Sequence, residues 1–205
     1  MSANAPSSCR RAPSATYLKR WGFTPQKPIR RAYEQRPDAV KKWLDEEYPA
    51  IAKRAKAEGG EIHWGDETAL VNTDVRGRGY APKGQTPVAY APGSRQKLSM
   101  ISTVTNQGKA RWMIINLRVH HSKPVKAWLA DHGDRIEVFY LPSYAPELNP
   151  DERLNADLKH AIGAKVAVRT KAKLKSAAEA HMATIETSTE RVKAYFRDPN
   201  VQYAA

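Results

Sequence analysis

The chain of 205 residues holds a single cysteine, Cys9, so no disulfide framework can form and a reducing compartment is the expected setting. No apolar run approaches the length of a membrane span. The N-terminus carries no apolar stretch of the kind that leads a secreted chain. These absences predict a cytoplasmic protein with no membrane partner. No internal repeat is present. Acidic residues are in short supply: 21 Asp and Glu face 34 Lys and Arg, for a formal charge of +13 and a pI near 9.9. That balance favours a polyanionic partner, nucleic acid first, with a basic but otherwise ordinary protein as the alternative. A hydrophobic content of 41% suffices for one modest core, or a small core with a helical appendage.

The positive charge is concentrated toward the N-terminus. Residues 1–60 carry 13 basic and 6 acidic groups, whereas the other 145 residues carry 21 and 15. Residues 1–15 are small, polar and proline-containing, with nothing to bury, and read as disordered. Between 16 and 33, Tyr17, Leu18, Trp21 and Phe23 are interleaved with Lys19, Arg20, Lys27, Arg30 and Arg31. Such interleaving fits a DNA-contacting helix end followed by a basic arm, or a solvated linker whose aromatics pack on a neighbour.

From Asp38 to Glu58, apolar residues recur at three- and four-residue spacing (Val40, Trp43, Leu44, Tyr48, Ile51, Ala55), which predicts a helix ended by Gly59-Gly60. Pro49 within it predicts a kink or a restart. Glu61 to Glu67 alternates as a strand with Ile62, Trp64 and Asp66 on one face. Lys97 to Thr105 and Ala110 to Ile115 predict a hairpin, and Ile136 to Leu141 a further strand. Helices are expected at 122–132, at 150–162 with Asn149 as its cap and Pro150 at its first position, and at 170–187. A last short helix holds Val192, Tyr195 and Phe196.

Three features invite a chemical reading. Asp66 ends the strand in Ile-His-Trp-Gly-Asp-Glu-Thr68; by itself this is an ordinary strand-end aspartate. Glu152 enters the first turn of a helix after the proline-punctuated loop Leu141-Pro-Ser-Tyr-Ala-Pro-Glu-Leu-Asn-Pro-Asp-Glu152, where an acid also complements the helix dipole. Asp151 is the weaker candidate, since adjacent helical positions do not share a face. Glu67 points to the opposite face of the strand from Asp66. The pair His120 and His121 lacks two further ligands at zinc spacing and reads as a polar rim.

The run from Leu141 to Lys159 resembles the last catalytic element of the mariner-like DDE transposases, in the branch found in bacterial insertion sequences. The segment around Asp66 resembles their first. The resemblance extends over roughly residues 16–196. It implies an α/β protein with a ribonuclease-H-like mixed sheet flanked by helices, preceded by a helical and basic arm. Its domains would be a helix-turn-helix remnant with a linker helix at 16–60 and a DDE catalytic domain at 61–197. It implies Asp66 and Glu152 as catalytic metal ligands for Mg²⁺ or Mn²⁺, hard cations that oxygen ligands suit. It further implies duplex DNA as partner, contacted by Lys19, Arg20, Lys27, Arg30 and Arg31, with a homodimer left open.

One acid is missing from this pattern. The family's second aspartate precedes an asparagine and, a few residues on, a histidine. Here Asn116-Leu-Arg-Val-His-His121 matches the downstream half, but the slot before Asn116 holds Ile115. From 115 to 152 there are 36 intervening residues, which fits; from 66 to 115 there are only 48, well short of the family's habit. The resemblance therefore implies an internal deletion at this junction that removed a helix, most of the central strand and its aspartate. The chain would also lack most of the DNA-reading domain. It is expected to be catalytically impaired unless Asp74, Asp131 or Asp134 converges on the site, and, with apolar side chains left poorly covered by the lost strand, marginally stable and prone to aggregate. A non-catalytic DNA-binding remnant is the alternative, and an RNA- or ribosome-associated protein the reading outside the family.

Overall fold

The computed structural model describes residues 14–24, 32–72, 81–86, 88, 93–115, 123–164 and 170–205. Backbone contacts divide the chain into a unit at 1–31 and a unit at 32–205. In the first, α1 (Ser14–Arg20) is a single short helix that ends in Lys19 and Arg20. Tyr17, Leu18, Trp21 and Phe23 all stand exposed. Helix therefore begins within the stretch 1–15 that reads as disordered; residues 1–13 lie outside the described ones.

The second unit opens with α2 (Pro37–Lys42), a π turn (Trp43–Glu47) and α3 (Tyr48–Glu58). The predicted interruption at Pro49 is realised as this π turn. A proline in a helix has no N–H to give and crowds the carbonyl four residues back, and a widened turn relieves both. Gly59, at φ 67°, then ends α3 in the left-handed conformation that a side chain would disfavour.

Three strands follow: β1 (Trp64–Val71), β2 (Lys97–Val104) and β3 (Ala110–Ile115). They pair antiparallel in the order β1-β2-β3. Strand alternation puts Trp64, Thr68 and Leu70 with Leu98, Met100, Ser102 and Val104 on one buried face. Asp66 shares that face, half-buried. Helices α5 (Asp151–Ala164) and α6 (Lys171–Glu186) cover it, contributing Leu154, Leu158, Leu174, Ala178, Met182 and Ile185, all fully buried. The hydroxyl-bearing Thr170 caps α6 by accepting from the Lys173 N–H at 3.2 Å. The outer helices are α4 (Lys123–Asp131) and α7 (Thr189–Tyr195), the latter burying Val192 and Tyr195.

A rim of aromatic rings fastens the N-terminal helices to this core. Trp43, Tyr48, Trp64 and Tyr203 stack edge-on or tilted with centroids 4.9 to 6.5 Å apart. Trp43 Nε1–H donates to the Tyr203 hydroxyl at 3.2 Å, which in turn donates to the Leu148 carbonyl at 2.8 Å. Trp43 is thus a core residue, whereas Trp128 is half exposed and stacks on His132 at 4.1 Å.

The strand expected at 136–141 does not form, and the described sheet is purely antiparallel rather than mixed. A strand needs a ladder partner, and among the described residues none lies along the second edge of β1. Ile136, Val138, Phe139 and Tyr140 remain between 42% and 59% exposed, so neither face of the segment is buried. Arg54 of α3 holds this segment instead, paired with Glu137 and with its guanidinium 5.4 Å from the centre of the Phe139 ring. Among the described residues no helix is long and apolar enough to cross a membrane.

Candidate active site

The site forms where the N-terminus of α5 meets β1. Its placement starts with Asn149. The side-chain amide of Asn149 donates to the Gly65 carbonyl at 3.0 Å, tying the helix entrance to the strand. Its carbonyl oxygen accepts from the Asp151 N–H at 3.1 Å, capping the first turn. Gly65 is also tightly placed against β2: a Cβ there would lie 3.0 Å from the Thr103 methyl and 3.1 Å from the Ser102 carbonyl. The Asn149 contacts therefore tie the start of α5 to β1 next to Asp66.

Asp66 and Glu152 converge. Both are half-buried, and they stand near enough for the charge of one carboxylate to act on the other. Burial pushes the Glu152 carboxyl above the usual range, and the neighbouring Asp66 charge adds to it, partly offset by Lys159 and Arg153. The Oδ1 atom of Asp66 accepts the Glu67 backbone N–H at 2.7 Å.

Asp151 is a different kind of acid. It is fully buried, and its Oδ2 accepts the Ser102 hydroxyl at 2.8 Å and the Asn155 amide at 3.3 Å. Its Oδ1 has no hydrogen-bond partner among the described residues. Burial raises its pKa to about 8, against the pull of the Ser102 hydrogen bond and with help from the Asp66 and Glu152 charges. Asp151 and Glu152 face different ways, as their adjacency requires, but both lie close to Asp66.

Of the predicted site residues, the structure brings Asp66 and Glu152 together and leaves Lys19 and Arg20 on the exposed surface of α1. Lys27, Arg30, Arg31, Asn116, His120, His121 and Asp74 lie outside the described residues. Asp131 and Asp134 are exposed. Among the described residues, no group of three or more His, Cys, Asp or Glu is placed to hold a metal ion. Ser102, Asn149 and Asn155 went unnoticed as site residues in the sequence. Asn149 carried a signal, the asparagine–proline helix start; Ser102 and Asn155 carried none, because their meaning depends on the register Asp66↔Ser102 between β1 and β2.

The fold and this paired-acid site define a ribonuclease-H-like core. The family of DDE superfamily endonucleases matches residues 61–119 and 114–175, and the chain belongs to it. A winged helix-turn-helix family matches residues 8–47, reaching into the segment that reads as disordered. Among solved structures, the chain is similar to the Mos1 transposase paired-end complex with left transposon end. The identity is 15%, covering 93% of this chain and 67% of that one, with a TM-score of 0.65. The Mos1 mariner paired-end complex with Mg gives the same identity and coverages and a TM-score of 0.62. The corresponding complex with Mn gives 14% identity, coverages of 94% and 70%, and a TM-score of 0.56. The fold is that of the mariner transposases. No curated protein matches the chain.

Proposed function

We propose that this chain is an insertion-sequence transposase, built for metal-dependent DNA strand cleavage and transfer and impaired by loss of its second catalytic aspartate. The convergence of Asp66 and Glu152 carries the reading. A strand and a capped helix start cooperate to bring two like charges together, an arrangement that costs free energy unless a cation shares them.

The donor set fits a hard divalent cation: two carboxylates, Asp66 and Glu152, offer the oxygen donors that suit Mg²⁺ or Mn²⁺. Asp66 and Glu152 would hold it. When bound, such an ion supplies an activated oxygen nucleophile and charge stabilisation for phosphoryl transfer. The chain's own contribution is placement. Asn149 anchors α5 to β1, the Glu67 N–H fixes one oxygen of Asp66, and Lys159 and Arg153 lend positive potential beside Glu152.

The missing ligand has a structural side. Ile115 ends β3, and β2 stands between β3 and β1, so position 115 is two strands away from Asp66. An acid there would not reach the pair. The family match also breaks and overlaps at 114–119, the same junction at which the spacing runs short. Both observations support an internal deletion and favour the second reading, a DNA-binding remnant without turnover. The net charge of +13, with Lys19 and Arg20 exposed on α1 inside the helix-turn-helix match, supports DNA as partner in either case.

Mg²⁺- or Mn²⁺-dependent nicking of duplex DNA, measured against an Asp66→Ala/Glu152→Ala control, tests the proposal. Nicking above the control supports a residual enzyme. Activity equal to the control, with salt-dependent DNA affinity retained, rejects the enzyme and leaves the remnant. Preference for structured RNA over duplex DNA would reject both.

A further inference from the structure

Asn155 is 1% exposed, one helical turn beyond Asp151, and its side-chain amide faces two carboxylates at once. Nδ2 lies 3.3 Å from Asp151 Oδ2 and 3.5 Å from Asp66 Oδ2. An amide nitrogen carries two hydrogens, one for each of these two oxygens.

The contacts close into a ring. Asp66 stands opposite Ser102 in the β1–β2 register, Ser102 donates to Asp151 at 2.8 Å, Asp151 and Asn155 share one face of α5, and Asn155 returns to Asp66. Elsewhere along α5 the same sheet face is packed by Leu154 and Leu158, both fully buried. A joint needed only for packing is made at lower free-energy cost by such side chains than by polar groups. Here the polar joint leaves Asp151 Oδ1 and Asn155 Oδ1 buried without hydrogen-bond partners among the described residues. The polar residues occur where the helix meets Asp66.

We propose that Asn155 is a positioning residue for Asp66, with Ser102 and Asp151 as its anchor. This rests on the reading of Asp66 and Glu152 as metal ligands. The Glu67 N–H engages Asp66 Oδ1 at 2.7 Å and the Asn155 amide reaches Oδ2 at 3.5 Å, so each oxygen of the carboxylate has a donor that restrains its rotation. Without Asn155, Asp66 gains rotational freedom and meets a cation less often in the binding geometry.

The test is Mn²⁺ binding to the full chain, titrated by electron paramagnetic resonance, for the wild type, Asn155→Ala, Asn155→Leu and Asp66→Ala. The leucine variant keeps the volume in case the alanine variant fails to fold. Thermal melts and crystal structures accompany the titrations. The expected result is an affinity loss of about tenfold or more in the Asn155 variants, at a melting temperature near that of the wild type. In their structures Asp66 is expected to turn away from Glu152. Wild-type affinity in folded Asn155 variants, with binding lost in Asp66→Ala, overturns the positioning role and leaves the metal site standing. If the wild type binds no Mn²⁺, or Asp66→Ala binds it equally, the metal reading fails instead. The structures then decide: an unmoved Asp66 in Asn155→Leu overturns the proposal, and a displaced one supports it. Failure of both variants to fold would make Asn155 a structural residue and also overturn it.

Discussion

Asp66 on β1 and Glu152 on α5 stand near enough that the charge of one carboxylate acts on the other, like against like. Burial first, and the Asp66 charge second, raise the Glu152 pKa above its ordinary 4.5. A raised folded-state pKa favours the protonated group in the fold. Its contribution is present below about pH 4.5 and lost as pH rises through the folded value. At neutral pH the charged pair is therefore a liability that a divalent cation would remove. Millimolar Mg²⁺ or Mn²⁺ should raise the melting temperature at about pH 7.5. Glu152→Gln should raise it without metal and should abolish the metal increment. Differential scanning fluorimetry reads both. A Glu152→Gln variant that keeps the full metal increment would contradict the pairing.

Asp151 gives a second pH signature. With its pKa raised to about 8 by burial, its stabilising protonated form is fully present below about pH 3.8 and is lost as pH rises toward 8. The side-chain amide introduced by Asp151→Asn is isosteric with the neutral acid and still accepts from Ser102. That variant should melt higher than the wild type at about pH 8 and show a flatter profile between roughly pH 5 and 8, measured in metal-free buffer. Parallel profiles for the two proteins would show that Asp151 is not the group responsible.

Which of these residues were legible in the sequence depends on how local their chemistry is. The helix start at Asn149-Pro150, the hairpin and the kink at Pro49 were legible because each rests on its immediate neighbours: a cap, a turn, a missing N–H. Asp66 and Glu152 were legible through the resemblance. The Ser102–Asp151–Asn155 ring was not, because it depends on which residue of β2 stands opposite Asp66 and on how α5 crosses the sheet. The segment 136–141 failed for the opposite reason. Its β-branched and aromatic residues have strand propensity, but propensity does not supply a ladder partner.

Gly108 offers a test of the hairpin's fit to α7. It sits at φ 92°, and a Cβ there would come within 2.4 Å of the Thr189 methyl and 2.7 Å of the Thr189 carbonyl oxygen. Gly108→Ala combines backbone strain with a clash against backbone, and should destabilise by about 2–4 kcal/mol. Urea unfolding measures this. A loss below about 0.5 kcal/mol would mean that the turn does not lie against α7.

Asp157 ties α5, α6 and α7 together. It accepts from Arg191 Nε and Nη2 at 2.8 and 2.7 Å and from the Tyr195 hydroxyl, and it meets His181 Nε2 at 3.3 Å. Burial raises its pKa, but the Arg191 and Tyr195 hydrogen bonds outweigh that and hold it below 3.8. Its contribution is present above pH 3.8 and lost as pH falls through the folded value. Asp157→Asn should cost about 1–3 kcal/mol at neutral pH, and the difference from the wild type should shrink below about pH 4. A difference independent of pH in urea titrations would assign the loss to packing rather than to charge.

The segment 136–140 combines with the second edge of β1 to predict self-association. A run rich in β-branched and aromatic residues with both faces exposed is a ready strand, and among the described residues no strand pairs with β1 along the edge opposite β2. Intermolecular pairing of the two would bury the apolar side chains and complete the ladder, whereas the net charge of +13 opposes close approach at low salt. Aggregation should therefore accelerate as salt screens that repulsion. Val138→Lys places a charge in the middle of the run and leaves the Arg54 contacts to Glu137 and Phe139 in place. Light scattering at rising NaCl concentration should show the variant staying monomeric where the wild type associates. Equal scattering by the two proteins, with unchanged melting temperatures, would remove this segment as the cause.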